Sequence, residues 1–426
     1  MAAKIHESMV ANLTAGSLGG GSLPAEHHGR AGTGPNGEKP QLINRCDGGS
    51  DEVNDIHLLD SENGLISISS DRSVRVWLLR DTGQYWPSIC HYMNSAVTAL
   101  NYHEPQRRLF VGLDSGVISE FVISSDYNSM KHVIDYHAHQ GRITAVKYSP
   151  NHKYILSVAR DKYFQFHCTE SGKRLGGYLC NSWCTAVEYD EQDKYVFIGD
   201  VSGIITVCKL SGGNGVQLIN TLKGHGGSIQ AVLWDGKKGW LYSCGFDCSV
   251  FVWDIGGRKG TVFELYGHKN KVTCIYYSST KEMLFSSGED MNLVQWDMSV
   301  QREITADWNE SDSCQLCNRP FFWNLKAMQT QKQLGYRQHH CRKCGKAICS
   351  SCSTRRSQLP RKGHEFVVRV CEECFFSIKD NEKTSLANFY DLKQNVLTMK
   401  IDEAKKVLAS VGKGGVIKIW SMKEIL

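Results

Sequence analysis

The chain has 426 residues, with 49 Lys and Arg against 44 Asp and Glu, a formal charge of only +5. That length holds one large domain plus a small one, and so slight an excess excludes a chain that coats nucleic acid along its length. No apolar run approaches the ~18 residues at which a membrane span is first considered, so a soluble protein without a transmembrane segment is expected.

Residues 1–39 carry Gly16, the run Gly19 to Gly21, Gly29, Gly32, Gly34 and Gly37, with hardly any aliphatic clustering. Such a segment buries too little apolar surface to offset its chain entropy, and a disordered tail is expected. Beyond it the chain repeats with a period of about 43 residues. A turn opened by Asp, or by a Ser-Gly pair, is followed six residues later by Trp or a substitute. The pairs are Asp71/Trp77, Ser115/Phe121, Asp161/His167, Ser202/Cys208, Asp247/Trp253, Asp290/Trp296 and Gly414/Trp420. His139, His225 and His268 each stand four residues before an apolar strand start. SVRVW, SVFVWDI, NLVQWDM and VIKIW alternate as half-buried strands between Gly, Asp and Ser turns. The pattern resembles a WD-repeat β-propeller, with the name-giving dipeptide literal at Trp253-Asp254 and Trp296-Asp297. That resemblance implies an all-β ring of seven four-stranded blades, an architecture that leaves few exposed sheet edges. His225, Ser243 and Asp247, like His268, Ser286 and Asp290, have the residue types of a catalytic triad. In WD-repeat folds they form structural hydrogen bonds within one blade, together with Trp253 and Trp296. A nucleophilic serine also needs a strained turn or oxyanion donors, which leave no trace here. No GxxxxGK[ST] phosphate loop occurs. No catalytic residues are assigned, and the protein is expected not to be an enzyme.

Intervals between the repeat landmarks are 44, 46, 41, 45, 43 and then 124 residues. A cysteine-rich segment fills most of the excess in the last, so it is inserted within the propeller, near the last blade. The final unit has no outer strand after Met422, and Gln41 to Cys46 is the candidate to supply one from the other end of the chain.

Within the insertion, eight cysteines form four Cys-x-x-Cys pairs: Cys314/Cys317, Cys341/Cys344, Cys349/Cys352 and Cys371/Cys374. Two such pairs complete an all-sulfur tetrahedral zinc shell. Eight ligands therefore mean two closed structural zinc ions with no open position for hydrolysis. Spacing alone leaves open whether the pairs share zinc sequentially or in alternation. Nine further cysteines are scattered through the strands, and with no secretory signal they point to a reducing compartment. The run RQHHCR, Arg337 to Arg342, overlaps the third ligand. From Ala306 to Ile378 there are twelve Lys and Arg against six Asp and Glu, a formal +6 that two four-thiolate zinc sites trim to +2. The pull on anions is thus local, and no aromatic-rich basic stripe extends beyond the segment, so nucleic acid is not an expected partner.

The four pairs, HHCR with its preceding arginine, the CRKCG continuation and RVC at Arg369 to Cys371 resemble a FYVE domain over Trp308 to Ile378. The resemblance implies recognition of phosphatidylinositol 3-phosphate on endosomal membranes. It also implies interleaved zinc sites: Cys314, Cys317, Cys349 and Cys352 hold the first ion, and Cys341, Cys344, Cys371 and Cys374 the second. By the same resemblance Arg337, His339, His340, Arg342 and Arg369 bind the headgroup, and Leu334, Gly335 and Tyr336 form the loop that enters the bilayer. Arg forks suit phosphate oxygens, and imidazoles gaining charge below neutrality would tighten binding between about pH 8 and pH 6. Three features depart from the family pattern. Gln338 stands where a second cation is usual. The upstream Trp-acid element is out of register, since Trp308 is followed by Glu310 and Asp312, of which Asp312 is favoured for the inositol hydroxyls. About ten extra residues, within FWNLKAMQTQKQ, separate Phe321 from Arg337.

The resulting layout is a tail at 1–39, propeller repeats one to six at 40–305, the FYVE-type zinc finger at 306–378 and the last repeat at 379–426. Propeller and finger together resemble the WD-repeat and FYVE domain-containing proteins from about Gln41 onward. The expected function is a cytosolic peripheral membrane adaptor on early endosomes, with protein partners on the propeller. The alternative is a ubiquitin-ligase-type scaffold whose zinc module binds protein, a task for which RQHHCR is surplus.

Overall fold

The computed structural model describes residues 39–47, 51–211, 215–256 and 262–426, so the glycine-rich tail lies outside the described residues apart from Lys39. Seven antiparallel blades of four strands stand in a ring. Blades one to four run consecutively through 53–92, 97–137, 143–179 and 184–223. Blade five comprises Ile229–Asp235, Trp240–Gly245, Ser249–Asp254 and Val262–Tyr266.

A turn that needs a left-handed residue, and in blade seven holds two in Gly414 and Gly415, explains why the sequence repeat alternates between Asp and Ser-Gly. Between the second and third strands of each blade, φ is positive at Arg72, Gly116, Lys162, Gly203, Cys248, Met291 and Gly414. Glycine adopts this conformation freely, whereas other residues need support. Where the residue is not glycine, an Asp precedes it and accepts the N–H two residues on. Asp71 accepts from Ser73, Asp161 from Tyr163, Asp247 from Ser249 and Asp290 from Asn292. These Asx turns hold the strained residue in place.

A second repeated device closes the ring. The second residue of every innermost strand is a bulge. A bulge re-aims its side chain out of the ladder, and several of these side chains reach the next blade. Asn54 Nδ2 donates to Val97 O (2.6 Å), Thr98 Oγ1 to Ile143 O (2.6 Å), Thr144 Oγ1 to Cys184 O (2.8 Å) and Thr273 Oγ1 to Val396 O (2.7 Å). Thr398 Oγ1 donates to Asp55 Oδ1 (3.2 Å), joining blade seven to blade one.

Within the blades, Trp77, Trp253, Trp296 and Trp420 donate their indole N–H to Ser67, Ser243, Ser286 and Ser410 at 2.8–2.9 Å. His225 and His268 bond the same Ser243 and Ser286 through Nε2, and Asp247 and Asp290 through Nδ1. The two serines are fully buried, so these triad-like sets are structural networks out of reach of a substrate. Blade three keeps His139, Ser157 and Asp161 but has His167 in the tryptophan position. Buried His167 Nδ1 finds no partner among the described residues.

Blade seven is Val396–Asp402, Val407–Gly412 and Val416–Ser421, with Gln41–Asp47 antiparallel to the last of these as its outer strand. Glu424 accepts from Gln41 Nε2 and Lys39 N, which ties the two ends of the described chain together. Blade six takes Val272–Ser278, Met283–Gly288 and Asn292–Asp297 from before the zinc module and Ala387–Asp391 from after it. The segment 379–426, expected to form the last repeat alone, is therefore divided between blades six and seven. The module interrupts blade six between its third and fourth strands.

Candidate functional site

The zinc module is built around sulfur. Two groups, Cys314, Cys317, Cys349 and Cys352, and Cys341, Cys344, Cys371 and Cys374, each gather their ligand atoms within 4.8 Å of one another. Tetrahedral Zn–S bonds of about 2.3 Å place sulfurs about 3.8 Å apart, and Cys317 and Cys349 Sγ stand at 3.7 Å, Cys344 and Cys371 Sγ at 4.0 Å. Amide N–H groups of Cys349, Cys371 and Cys374 donate to Cys314, Cys341 and Cys371 Sγ, as suits thiolates rather than thiols. The donor set fits two structural zinc ions and selects the alternating arrangement over the sequential one. The ions substitute for a core this small module could not otherwise build.

Metal-fixed backbone positions the cations. His339–His340 pairs with Ala347–Ile348, and Arg356–Leu359 pairs with His364–Arg369. In the second ladder Arg356 lies directly opposite Arg369. Ser353 O accepts from Arg356 Nη1 (2.9 Å) and from Arg369 Nη1 (3.0 Å), so one carbonyl orients both forks. Burial, then the Arg369, Arg337 and Arg356 charges, pull His339 down to about 4. Burial first, and then these arginine charges, work against the charge expected of His339 near pH 6. Arg342 lies 4.6 Å over the Trp308 ring, and that ring stacks on His340. His340 Nε2 also approaches Asn309 O at 3.1 Å. The upstream element beside the basic run is therefore Trp308-Asn309. Asp312 accepts instead from Trp323 Nε1 at 3.0 Å, drawn to the inserted segment. Of the three residues expected at the bilayer, Leu334 is 88% exposed, Gly335 is buried and Tyr336 is half-buried. Tyr336 takes the Arg319 guanidinium on both its hydroxyl and its ring.

Comparisons with known proteins agree with this geometry. Residues 305–380 match the FYVE zinc finger family, and 130–166, 216–254 and 259–297 match the WD domain, G-beta repeat. The human WD repeat and FYVE domain-containing protein 2 is 50% identical over 388 residues, which cover 91% of this chain and 97% of that protein. The WD repeat and FYVE domain-containing protein 1 of Bos taurus is 50% identical over 404 residues, 95% of this chain and 97% of that one. This chain belongs to the WD repeat and FYVE domain-containing family. The crystal structure of the WD40 β-propeller domain of Doa1 superposes with a TM-score of 0.58 at 14% identity, covering 90% of this chain and 97% of that one, and supports the propeller fold alone.

The FYVE finger is docked on the propeller rather than tethered to it. Gly363 O accepts from Tyr266 N at 2.7 Å, and His364 continues the blade-five sheet in parallel with Tyr266, their rings stacked 4.9 Å apart. Phe366 stacks on Phe389 in the outer strand of blade six. Buried Glu365 accepts from Ser385 Oγ, and buried Arg302 donates to Pro360 O. Arg342 itself reaches the seam: burial lowers its pKa, while Tyr266 and Glu264 of blade five lie close enough to oppose that shift. Sequence reasoning missed Arg356, although a second Lys/Arg pair beside a Cys-x-x-Cys is visible at Arg355-Arg356. It also missed blade five as a neighbour of the basic run, which has no sequence signal. No described helix is long and apolar enough to cross a membrane.

Proposed function

We propose that the protein is a non-enzymatic adaptor that binds phosphatidylinositol 3-phosphate on the cytosolic face of early endosomes through its FYVE finger and holds protein partners on its propeller. The observation that carries this reading is the pair Arg356 and Arg369, set opposite each other beside Arg337 and His339. Like charges directly opposite across a ladder are destabilising, and no Asp or Glu occurs between Asp312 and Glu365. A phosphomonoester with nearly two negative charges relieves that repulsion, and two guanidinium forks match its oxygens. His339 serves as a hydrogen-bond partner to the headgroup, with His340 and Arg342 around the site as the family resemblance places them, while Asp312 is engaged by the Trp323 indole. The choice of the 3-phosphate isomer, and with it the endosomal address, rests on that resemblance.

Binding of soluble short-chain phosphoinositides, compared across the 3-, 4- and 5-phosphate isomers, tests the reading. A charge-assisted contact contributes about 1.5–3 kcal/mol, so Arg369→Ala should cost roughly tenfold to a hundredfold in affinity for the 3-phosphate. Arg337→Ala should behave alike, and both variants should keep two zinc ions. Equal affinity for all isomers, or wild-type affinity in Arg369→Ala, would overturn the assignment.

A further inference from the structure

Between the first and second cysteine pairs the chain displays an apolar surface that the headgroup site does not use. Phe322 is 59% exposed, Trp323 52%, Leu325 66% and Leu334 88%. Residues this large and apolar rarely cluster in water without a partner. Local structure holds them outward. Asn324 caps the short helix Leu325–Gln331 by accepting from Ala327 N, and none of that helix's side chains is buried. Trp323 is pinned by its indole bond to Asp312 and by the Phe321 ring, 5.2 Å away. Phe322 N donates to Tyr336 O, and a Cβ on Gly335 would lie 2.7 Å from Phe322 Cα, so Phe322 lies against the residue that follows Leu334. Lys326 and Lys332 flank the patch, Arg337 follows it, and the whole stretch contains no carboxylate.

We propose that the inserted segment is a second bilayer-contacting element, in which Phe322, Trp323 and Leu325 join Leu334 in a wedge that enters an anionic membrane beside the headgroup site; this rests on the membrane reading above. Charge decides for lipid over protein. Lys326, Lys332 and Arg337 outnumber Asp312, which the Trp323 indole holds, and an apolar face with that cationic excess complements the anionic cytosolic leaflet; Trp, Phe and Leu above lysines are the composition of an interfacial contact. The loop-tip residue alone would give one leucine of apolar contact; the insertion adds a second leucine and two aromatic side chains, all exposed.

The test is sedimentation of the full chain with vesicles of phosphatidylcholine and phosphatidylserine, with and without phosphatidylinositol 3-phosphate. It runs beside binding of the soluble short-chain lipid and a zinc assay. Phe322→Ser/Leu325→Ser, which leaves the Trp323–Asp312 bond in place, should bind both vesicle types at least tenfold more weakly. It should retain wild-type affinity for the soluble lipid and two zinc ions. Undiminished vesicle binding would overturn the proposal and leave the face to a protein partner. Equal loss on vesicles and soluble lipid, with zinc intact, would also overturn it by showing that the segment shapes the headgroup site. Loss on both vesicle types by a protein whose wild type ignores the phosphoinositide would sustain the wedge while sinking the function proposed above.

Discussion

Replacing Gly363 with alanine should open the seam between finger and propeller without unfolding either. Gly363 has φ +79°, and a Cβ there would lie 1.7 Å from Glu264 O and 2.8 Å from the Glu264 carbonyl carbon. Placing alanine in the left-handed region costs about 1–2 kcal/mol. The collision is with backbone, so it is relieved only if the two strands part. Parting breaks the Tyr266 N–H bond to Gly363 O, worth about 1 kcal/mol. It also separates the stacked Tyr266 and His364 rings, worth about 0.5–1.5 kcal/mol. Together these amount to roughly 3–4 kcal/mol, or a hundredfold to a thousandfold faster local opening. Amide hydrogen exchange read by mass spectrometry should show that acceleration in peptides spanning Val262–Tyr266 and His364–Arg369, with blades one to four unchanged. Gly83→Ala is the internal control, since Gly83 has φ +77° but nothing within 4 Å of its Cβ position. It should suffer the conformational cost alone, about tenfold in its own turn. Wild-type protection at Tyr266 in Gly363→Ala would refute the reasoning, as would equal local losses in the two variants.

Acid should weaken the propeller through its buried neutral histidines. Burial first, then the His139 and Arg174 charges, lower His167 from 6.5 to about 4, and His57 falls equally far, mainly through burial. A histidine whose folded pKa is depressed contributes stability that is intact above pH 6.5 and lost as pH falls toward 4. His167→Phe should therefore flatten the fall in melting temperature across that window, and parallel curves for the two proteins would contradict the account. Removing residues 1–38 should leave the melting temperature unchanged. Extending the deletion through Cys46 strips the outer strand from blade seven and bares a sheet edge, which should lower the melting temperature by roughly 5 °C or more or cause aggregation. Chelation should release two zinc ions per chain and raise exchange throughout 308–378 while blades one to four stay protected. Cys344→Ser should release one zinc and unfold the finger, and a variant retaining both ions would remove Cys344 from the ligand set.

Much of this molecule could be read from the chain because its repeated chemistry is local. Asp or Ser-Gly marks a turn whose left-handed residue either is glycine or is held by an Asx bond, and both leave the same six-residue spacing to the tryptophan. The cysteine pairs are legible for the same reason, since metal geometry acts over two intervening residues. What stayed hidden depends on residues far apart in sequence. Whether blade six or blade seven owns the strand after the finger turns on how Ala387–Asp391 meets Asn292–Asp297, and five apolar-rich residues carry no label of their blade. Asp312 was expected at the inositol because its spacing from Trp308 is nearly right; the Trp323 indole, supplied by the insertion, draws it elsewhere. His339 was expected to gain charge near pH 6, and its burial, the largest cause of its lowered pKa, has no signal in the sequence.

The seam gives the insertion a mechanical meaning that two separate domains would lack. Strand His364–Arg369 begins against Tyr266 of blade five and ends at Arg369, opposite Arg356 in the proposed headgroup site. Five residue steps of an extended strand span about 17 Å, so the propeller contact and the proposed phosphate contact are two ends of one short rigid element. Phe366, between those ends, stacks on Phe389 in blade six, which fixes the strand against rotation. A finger hung on two flexible loops would let the propeller tumble above the membrane. With this strand shared, a bilayer seated as proposed against Leu334 and the arginines would also set the tilt of the propeller, and with it which loops face the cytosol. Gly363 is the hinge at which that coupling is breakable: its carbonyl holds blade five, and its missing side chain lets Glu264 approach.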